Sequence, residues 1–257
     1  MFSNFSLENK VAIVVGGTRG IGEGIAYGLS KAGAKVVVTS RDLEQCEIVA
    51  NDIKEFTGND VIGIACDVCK AETIQEMVKE TVARFGRIDI LVNSAGVNVR
   101  KNTVDFTEED WDLVQNVQLK GFFLACQAVG DYMIKNRIPG KIINISSIDS
   151  LVVSRPNIIS YMAAKGGVVQ MTKSLAVEWA DYGICVNAIA PGYFETVMTK
   201  VLFQDDAIRG QLFHSIPQKR FGDPYKDLAP LAVFLASDAS NYITGQNICV
   251  DGGYTLL

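Results

Sequence analysis

The strongest constraint on this chain is an alternation. Short runs rich in Val and Ile occur at Lys10–Val15, Lys35–Thr39, Val61–Ala65, Ile88–Asn93, Lys141–Ile145, Ile184–Ile189 and Gln246–Val250. Between them lie longer stretches with helical periodicity: Gly20–Ala32, Leu43–Phe56, Ala71–Phe85, Glu108–Asn136, Ser160–Tyr182 and the shorter Asp227–Ala236. Several short runs are apolar nearly throughout, as strands covered on both faces must be. Alternating β and α segments call for a parallel sheet with helices on both faces, and right-handed crossovers make it doubly wound. The expectation is an α/β fold of the Rossmann type, a single domain over residues 1–257 with a sheet of about seven strands. Residues 193–222 break the alternation. They read either as a lid over a site at the sheet edge or as a surface excursion with two short helices.

Composition limits the partners. The net charge of −5 argues against nucleic acid or an anionic membrane. No stretch approaches the ~18–20 apolar residues of a membrane span, and the N-terminal residues carry no signal-peptide core, so a soluble cytoplasmic protein is expected. The six cysteines are scattered, which suggests reduced, packed thiols. Cys66-Asp-Val-Cys69 matches C-x-x-C but lacks a second ligand pair, so no metal is expected.

After the first run comes Gly16-Gly-Thr-Arg-Gly20-Ile-Gly22, opening a helix. Glycines let the backbone turn tightly and approach a ligand. A helix N-terminus offers free N–H groups and a positive dipole end to a pyrophosphate. Gly16, Thr18, Arg19, Gly20, Ile21 and Gly22 are therefore candidate cofactor contacts. The spacing G-x-x-x-G-x-G departs from the G-x-G-x-x-G fingerprint. The second run selects between cofactors. A preference for NAD calls for an acid at its end, bonded to the ribose 2′-hydroxyl, but this run closes with Thr39-Ser40-Arg41. Ser40, Arg41 and Arg19 suit a 2′-phosphate, which predicts NADP(H) over NAD(H). Asp42, next in line, keeps NAD(H) as the alternative.

Tyr161 and Lys165 stand four residues apart in a helical stretch and so share a face. A free tyrosine ionises near pH ~10, and a neighbouring ammonium is expected to lower that value. Such a pair can move a proton on and off an alcohol. The single histidine, His214, excludes a histidine dyad.

With these pieces in line, the chain resembles the short-chain dehydrogenase/reductase family from about Leu7 to Tyr254. Gly16, Gly20 and Gly22 match the family's glycine motif, with Val15 where threonine is usual. Asp67-Val68 matches its adenine-contacting pair. Asn93-Ser94-Ala95-Gly96 matches the motif closing the fourth strand, with Ser94 replacing an asparagine. Asn116, Ser147, Tyr161 and Lys165 match its catalytic tetrad. The interval to Tyr161 is about one residue longer than is common, which leaves Ser146 as the alternative to Ser147. Pro191-Gly192 and Thr196 match the segment beside the nicotinamide, and Asp251-Gly252-Gly253 the usual ending.

The resemblance implies hydride transfer between NADP(H) and a carbon bearing a hydroxyl or carbonyl. Tyr161 would exchange the proton, Lys165 would lower its pKa and hold the nicotinamide ribose, Ser147 would bond the substrate oxygen, and Asn116 would hold a water linking Lys165 to solvent. A homotetramer built through the two long helices is also implied. Arg100 and Lys101 lie on the loop after the fourth strand, where open α/β sheets bind ligands. Arg100 is a candidate carboxylate clamp, and with Ser147 and Tyr161 it makes the expected substrate contacts. This loop and Asp105–Trp111 resemble the sugar-acid branch of the family, such as gluconate 5-dehydrogenases. The loop Asp149–Asn157 adds Ser150, Ser154, Arg155 and Asn157, polar groups suited to a polyol. The expected reaction interconverts a sugar acid and its keto form, such as gluconate and 5-ketogluconate. The alternatives are a 3-oxoacyl thioester (acyl-carrier-protein) reductase and, outside enzymes, a nucleotide-binding sensor or scaffold that kept the fold without the chemistry.

Overall fold

The computed structural model describes residues 3–196, 199 and 206–257. The apolar runs form one seven-stranded sheet: β1 (Val11–Val15), β2 (Lys35–Ser40), β3 (Val61–Ala65), β4 (Ile90–Asn93), β5 (Lys141–Ile145), β6 (Cys185–Pro191) and β7 (Asn247–Val250). Every neighbouring pair is parallel, in the order β3-β2-β1-β4-β5-β6-β7. Around the sheet lie α1 (Gly20–Lys31), α2 (Leu43–Thr57), α3 (Ala71–Phe85), α4 (Glu108–Gln115), α5 (Gly121–Lys135), α6 (Ile159–Glu178), α7 (Asp206–Ser215) and α8 (Ala229–Ala236).

Strand periodicity divides the core in two. Ala12 and Val14 of β1 enter one cluster with Val36, Val38, Val92 and Ile143, closed by Ile25 and Leu29 of α1 and Leu235 of α8. Ile13 and Val15 enter the other with Val37, Leu91 and Ile142, closed by Met77 of α3, Val129 of α5 and Leu175 of α6. Burying one such side chain is worth about 1.5–3 kcal/mol, so the sheet with its two apolar layers is the rigid frame. The strand order reverses between β1 and β4, and the crevice at their C-terminal ends is where such sheets bind ligands.

The single helix expected over Glu108–Asn136 is two helices. A wide π turn, Asn116–Lys120, joins α4 to α5, and there the Gly121 N–H donates to the Asn116 carbonyl. Gly121 is required by closeness: a Cβ there would stand 2.9 Å from the Val68 side chain. The helix expected to reach Tyr182 ends at Glu178 and closes through a tight turn at Ala180–Tyr182. α8 begins after a second π turn, Pro224–Leu228, capped by Asp223. Asp227 of that turn is held by Arg220 at 2.6 Å. Of the expected lid, residues 197, 198 and 200–205 lie outside the described residues, and the rest includes α7. No helix among the described residues is long and apolar enough to cross a membrane.

Candidate active site

A cleft of about 1170 Å³ opens at the C-terminal ends of the strands. It is large for a small-molecule pocket and has room for a dinucleotide with a small substrate. Nearly all the expected site residues line it: Gly16, Thr18, Arg19, Gly20, Ile21, Gly22, Ser40, Arg41, Asp67, Val68, Ala95, Gly96, Arg100, Ser147, Tyr161, Lys165, Pro191, Gly192 and Thr196. Asn93 and Asn116 do not. Asn93 is fully buried, and its amide donates to Asn144 at 2.9 Å and to the Cys126 sulfur at 3.3 Å, tying β4 to β5. Its position as the inward-facing last residue of β4 makes it a sheet fastener. Asn116 opens the π turn, and its carbonyl is occupied by Gly121.

The phosphate end is built by backbone. Gly16 has φ +76°, and a Cβ on it would fall 2.6 Å from the Ala95 nitrogen. A Cβ on Gly22 would come within 2.1 Å of the Gly16 carbonyl. The turn can therefore fold only with glycine at these points. Arg19 stands at the N-cap of α1 with no side-chain cap, so the first-turn N–H groups face the cleft ready for an anion. α2 is treated differently: Asp42 caps it, accepting from the Gln45 N–H at 3.2 Å. Its carboxylate is thus engaged by the helix start. Arg19 and Arg41 are exposed and form no ion pair among the described residues. This donor set fits a 2′-phosphate.

At the other end, β5 delivers two serines with different fates. The Ser146 hydroxyl shares its one hydrogen between the Ile189 carbonyl at 3.0 Å and Asn247 Oδ1 at 2.6 Å, locking β5 to β6 and β7. Ser147 faces the same cleft as the Tyr161 phenol, and its hydroxyl works to lower the phenol's pKa. Both serines line the cleft, but the Ser146 hydroxyl is spent within the sheet and Ser147 is the one that acts on the phenol. Lys165, one turn along α6, donates from Nζ to the Ile145 carbonyl at 2.7 Å and lies 5.2 Å from the centre of the Phe122 ring. Burial dominates both ionisable groups. It pushes the Tyr161 phenol up to about 12; Ser147 and Arg155 oppose this and the Asp149 charge adds to it. It holds the Lys165 ammonium down to about 7, against the pull of Asp149. The expected lowering of Tyr161 by Lys165 is not found: the phenol is shifted by burial, Ser147, Asp149 and Arg155, and the lysine has itself lost water.

The substrate end is cationic. Arg100 and Arg155 both line the cleft, and Arg100 is held below the usual guanidinium range by burial and by the charge of Arg155. The Arg155 Nε is buried without a hydrogen-bond partner, and its guanidinium carbon lies 5.9 Å from the centre of the Tyr193 ring. Lys101, read with Arg100 as a loop cation, is instead paired with Asp110 at the start of α4.

Comparison with known proteins settles the family. A family model described as Enoyl-(Acyl carrier protein) reductase matches residues 15–255. The 2-dehydro-3-deoxy-D-gluconate 5-dehydrogenase of Escherichia coli is 40% identical, covering 99% of this chain and 98% of that protein. The chain is a short-chain dehydrogenase/reductase. A 3-oxoacyl-(acyl-carrier-protein) reductase of Staphylococcus epidermidis is as similar, at 41% identity over 95% of this chain and 98% of its own. Among solved structures, a gluconate 5-dehydrogenase from Burkholderia cenocepacia in complex with NADP and tartrate superposes with a TM-score of 0.94 at 39% identity, covering 99% and 98% of the two chains.

Several lining residues of this short-chain dehydrogenase/reductase carried no sequence signal. Gln118, on the π turn, donates to the Val97 carbonyl at 2.6 Å and so fastens the loop that carries Arg100. Its Oε1 and Asn98 Oδ1 are buried without partners beside the cleft. Asp149 is 7% exposed directly behind Ser147. It opens the loop Asp149–Asn157, but nothing in the sequence marked its carboxylate.

Proposed function

We propose that this protein is an NADP(H)-dependent dehydrogenase that interconverts the secondary alcohol of a sugar acid, such as gluconate, and its ketone, such as 5-ketogluconate. The carrying observation is the pair of guanidiniums, Arg100 and Arg155, sharing one cleft with Ser147 and Tyr161 while neither enters an ion pair among the described residues. Two adjacent cations in a partly desolvated site call for an anionic ligand. A carboxylate placed there leaves the rest of a polyol chain to reach the serine and the phenol.

The roles follow from position. The uncapped start of α1 would hold the pyrophosphate, with Arg19, Ser40 and Arg41 around the 2′-phosphate. Asp67 and Val68 would flank the adenine, and Ala95, Gly96, Pro191, Gly192 and Thr196 the nicotinamide half. When bound, the nicotinamide gives or takes the hydride. Tyr161 gives or takes the proton at the substrate oxygen through its Oη, and Ser147 holds that oxygen within reach. Lys165, when protonated, places positive charge beside the phenol and offers its remaining hydrogens to the ribose. Asn116 sits at the head of the π turn against α6, the side from which a water would serve Lys165.

The relative that reduces 3-oxoacyl thioesters is equally similar, so that reading is tested beside the first. Gluconate, 5-ketogluconate, a neutral polyol and a β-ketoacyl thioester are offered with each nicotinamide cofactor, and cofactor absorbance is followed. Turnover of the sugar acids over the thioester supports the proposal, and the reverse order replaces it. Silence with the whole panel would favour a binding role. Trp111 and Phe123 on α4 and α5 and Val177 on α6 are exposed large apolar side chains, which supports assembly of a homotetramer through these helices; light scattering after size exclusion tests that.

A further inference from the structure

Asp149 follows Ser147 by two residues in a short 3-10 turn at the end of β5, and it is 7% exposed. No cation among the described residues forms an ion pair with it. A carboxylate buried in this way is costly unless its oxygens are hydrogen-bonded. Its donors are local hydroxyls and amides. Ser154 donates to Oδ1 from its hydroxyl at 2.5 Å and from its N–H at 3.3 Å. The Ser147 hydroxyl donates to Oδ2 at 3.2 Å, and the Asp149 N–H returns to Ser147 Oγ at 3.1 Å.

A serine hydroxyl has one hydrogen and two lone pairs. At Ser147 the hydrogen goes to the Asp149 carboxylate and one lone pair to the Asp149 N–H. One lone pair is left, and the hydroxyl can still turn its hydrogen to an arriving substrate oxygen. We propose that Asp149 is the positioning residue of this active site, fixing the Ser147 oxygen through its N–H and holding the hydroxyl hydrogen until a substrate oxygen arrives to accept it. The inference rests on the reading of Tyr161 as the proton-exchanging group.

A second consequence is electrostatic. If Tyr161 ionises, phenolate and carboxylate compete for the single Ser147 hydrogen, and two negative charges share a buried site. Asp149 therefore favours the neutral phenol, the form that can give a proton to a carbonyl oxygen. Several other groups face this pair. Lys165 comes from α6, and Arg155 from the loop beyond Ser154, with Arg100 beside it. Tyr193 follows β6 and stacks edge-on with Tyr254 of the C-terminal turn, which also feels the Asp149 charge. All of these stay in place in the variants below.

The test separates charge from shape. Asp149→Asn keeps an acceptor for Ser147 and removes the charge, while Asp149→Ala removes both. Protein labelled at the tyrosine ζ carbon reports the ionisation of each phenol by NMR, and the Tyr161 signal is the one absent from Tyr161→Phe. With NADP+ bound, Tyr161 in Asp149→Asn is expected to ionise at lower pH than in the wild type; coincident titrations overturn the proposal. Asp149→Ala is expected to lose about tenfold in kcat, the worth of one lost hydrogen bond, with NADP+ affinity kept. Wild-type turnover in that variant overturns the positioning role. Failure of the underlying reading looks different, because Tyr161→Phe would then turn over normally.

Discussion

The Lys165 ammonium lies 5.5 Å from the centre of the Tyr161 ring and is anchored by the backbone, donating to the Ile145 carbonyl at 2.7 Å. No acid among the described residues pairs with it. A lysine held by backbone alone, and pressed down to about 7 by burial, can surrender its proton as its surroundings change.

Linkage makes this visible in stability. The Lys165 value is about 7 in the folded protein and ~10.4 in an unfolded chain. Between these limits the unfolded state binds more protons, so the contribution of this residue to stability rises with pH through that window. The stability of Lys165→Met relative to the wild type should be greatest below about pH 7 and should decline towards about pH 10. Denaturant unfolding across that range measures it, and a pH-independent difference would refute the assignment.

Tyr161→Phe removes only the proton-bearing oxygen. General acid–base catalysis is worth at least ~100-fold, so kcat should fall by that much while cofactor binding stays intact. Steady-state kinetics with a parallel cofactor titration decides it, and near-normal turnover would end the case for this residue.

The two serines should separate cleanly. Ser147→Ala should cost turnover, because it removes the hydroxyl that acts on the phenol. Ser146→Ala should cost about 1–2 kcal/mol of stability, from the bonds lost to β6 and β7, and keep its turnover. Comparing unfolding midpoints with kcat tests both halves, and a swap of the two phenotypes would reassign the site.

Cofactor choice should rest on the guanidiniums. Arg41→Ala is expected to lower kcat/KM with NADPH by about 10–100-fold, the worth of a charge-assisted hydrogen bond, and to leave the NADH value near its starting point. Parallel losses with both cofactors would show that Arg41 does not read the 2′-phosphate.

Arg100→Ala should raise KM for gluconate about tenfold or more and spare a neutral polyol. Equal effects on the two substrates would reject the carboxylate clamp.

Much of this arrangement was readable in the chain. The apolar runs mark the strands because each is covered twice, and glycine spacing marks the phosphate turn because side chains at Gly16 and Gly22 would collide with backbone. What escaped depends on partners distant in sequence. Asn93 matched a cofactor motif, yet its amide meets Asn144, fifty-one residues on, inside the sheet. Lys101 looked like a site cation until Asp110, which also caps α4, took it. Composition cannot tell Ser146 from Ser147; only the direction in which each leaves β5 does. Tyr161 and Lys165 do stand side by side on α6, but their electrostatics follow burial, which no local pattern reports.

The π turn at Asn116 carries one residue more than a regular helix would need between α4 and α5. If the same residues were wound regularly, everything beyond the turn would rotate by about 100°, and Phe122 would swing out from beneath Lys165. Shortening the turn by one residue would instead leave α5 where it is and straighten the rod. This segment is thus a point along α4–α5 where the protein can lose one residue and still keep the Phe122 ring beside its lysine.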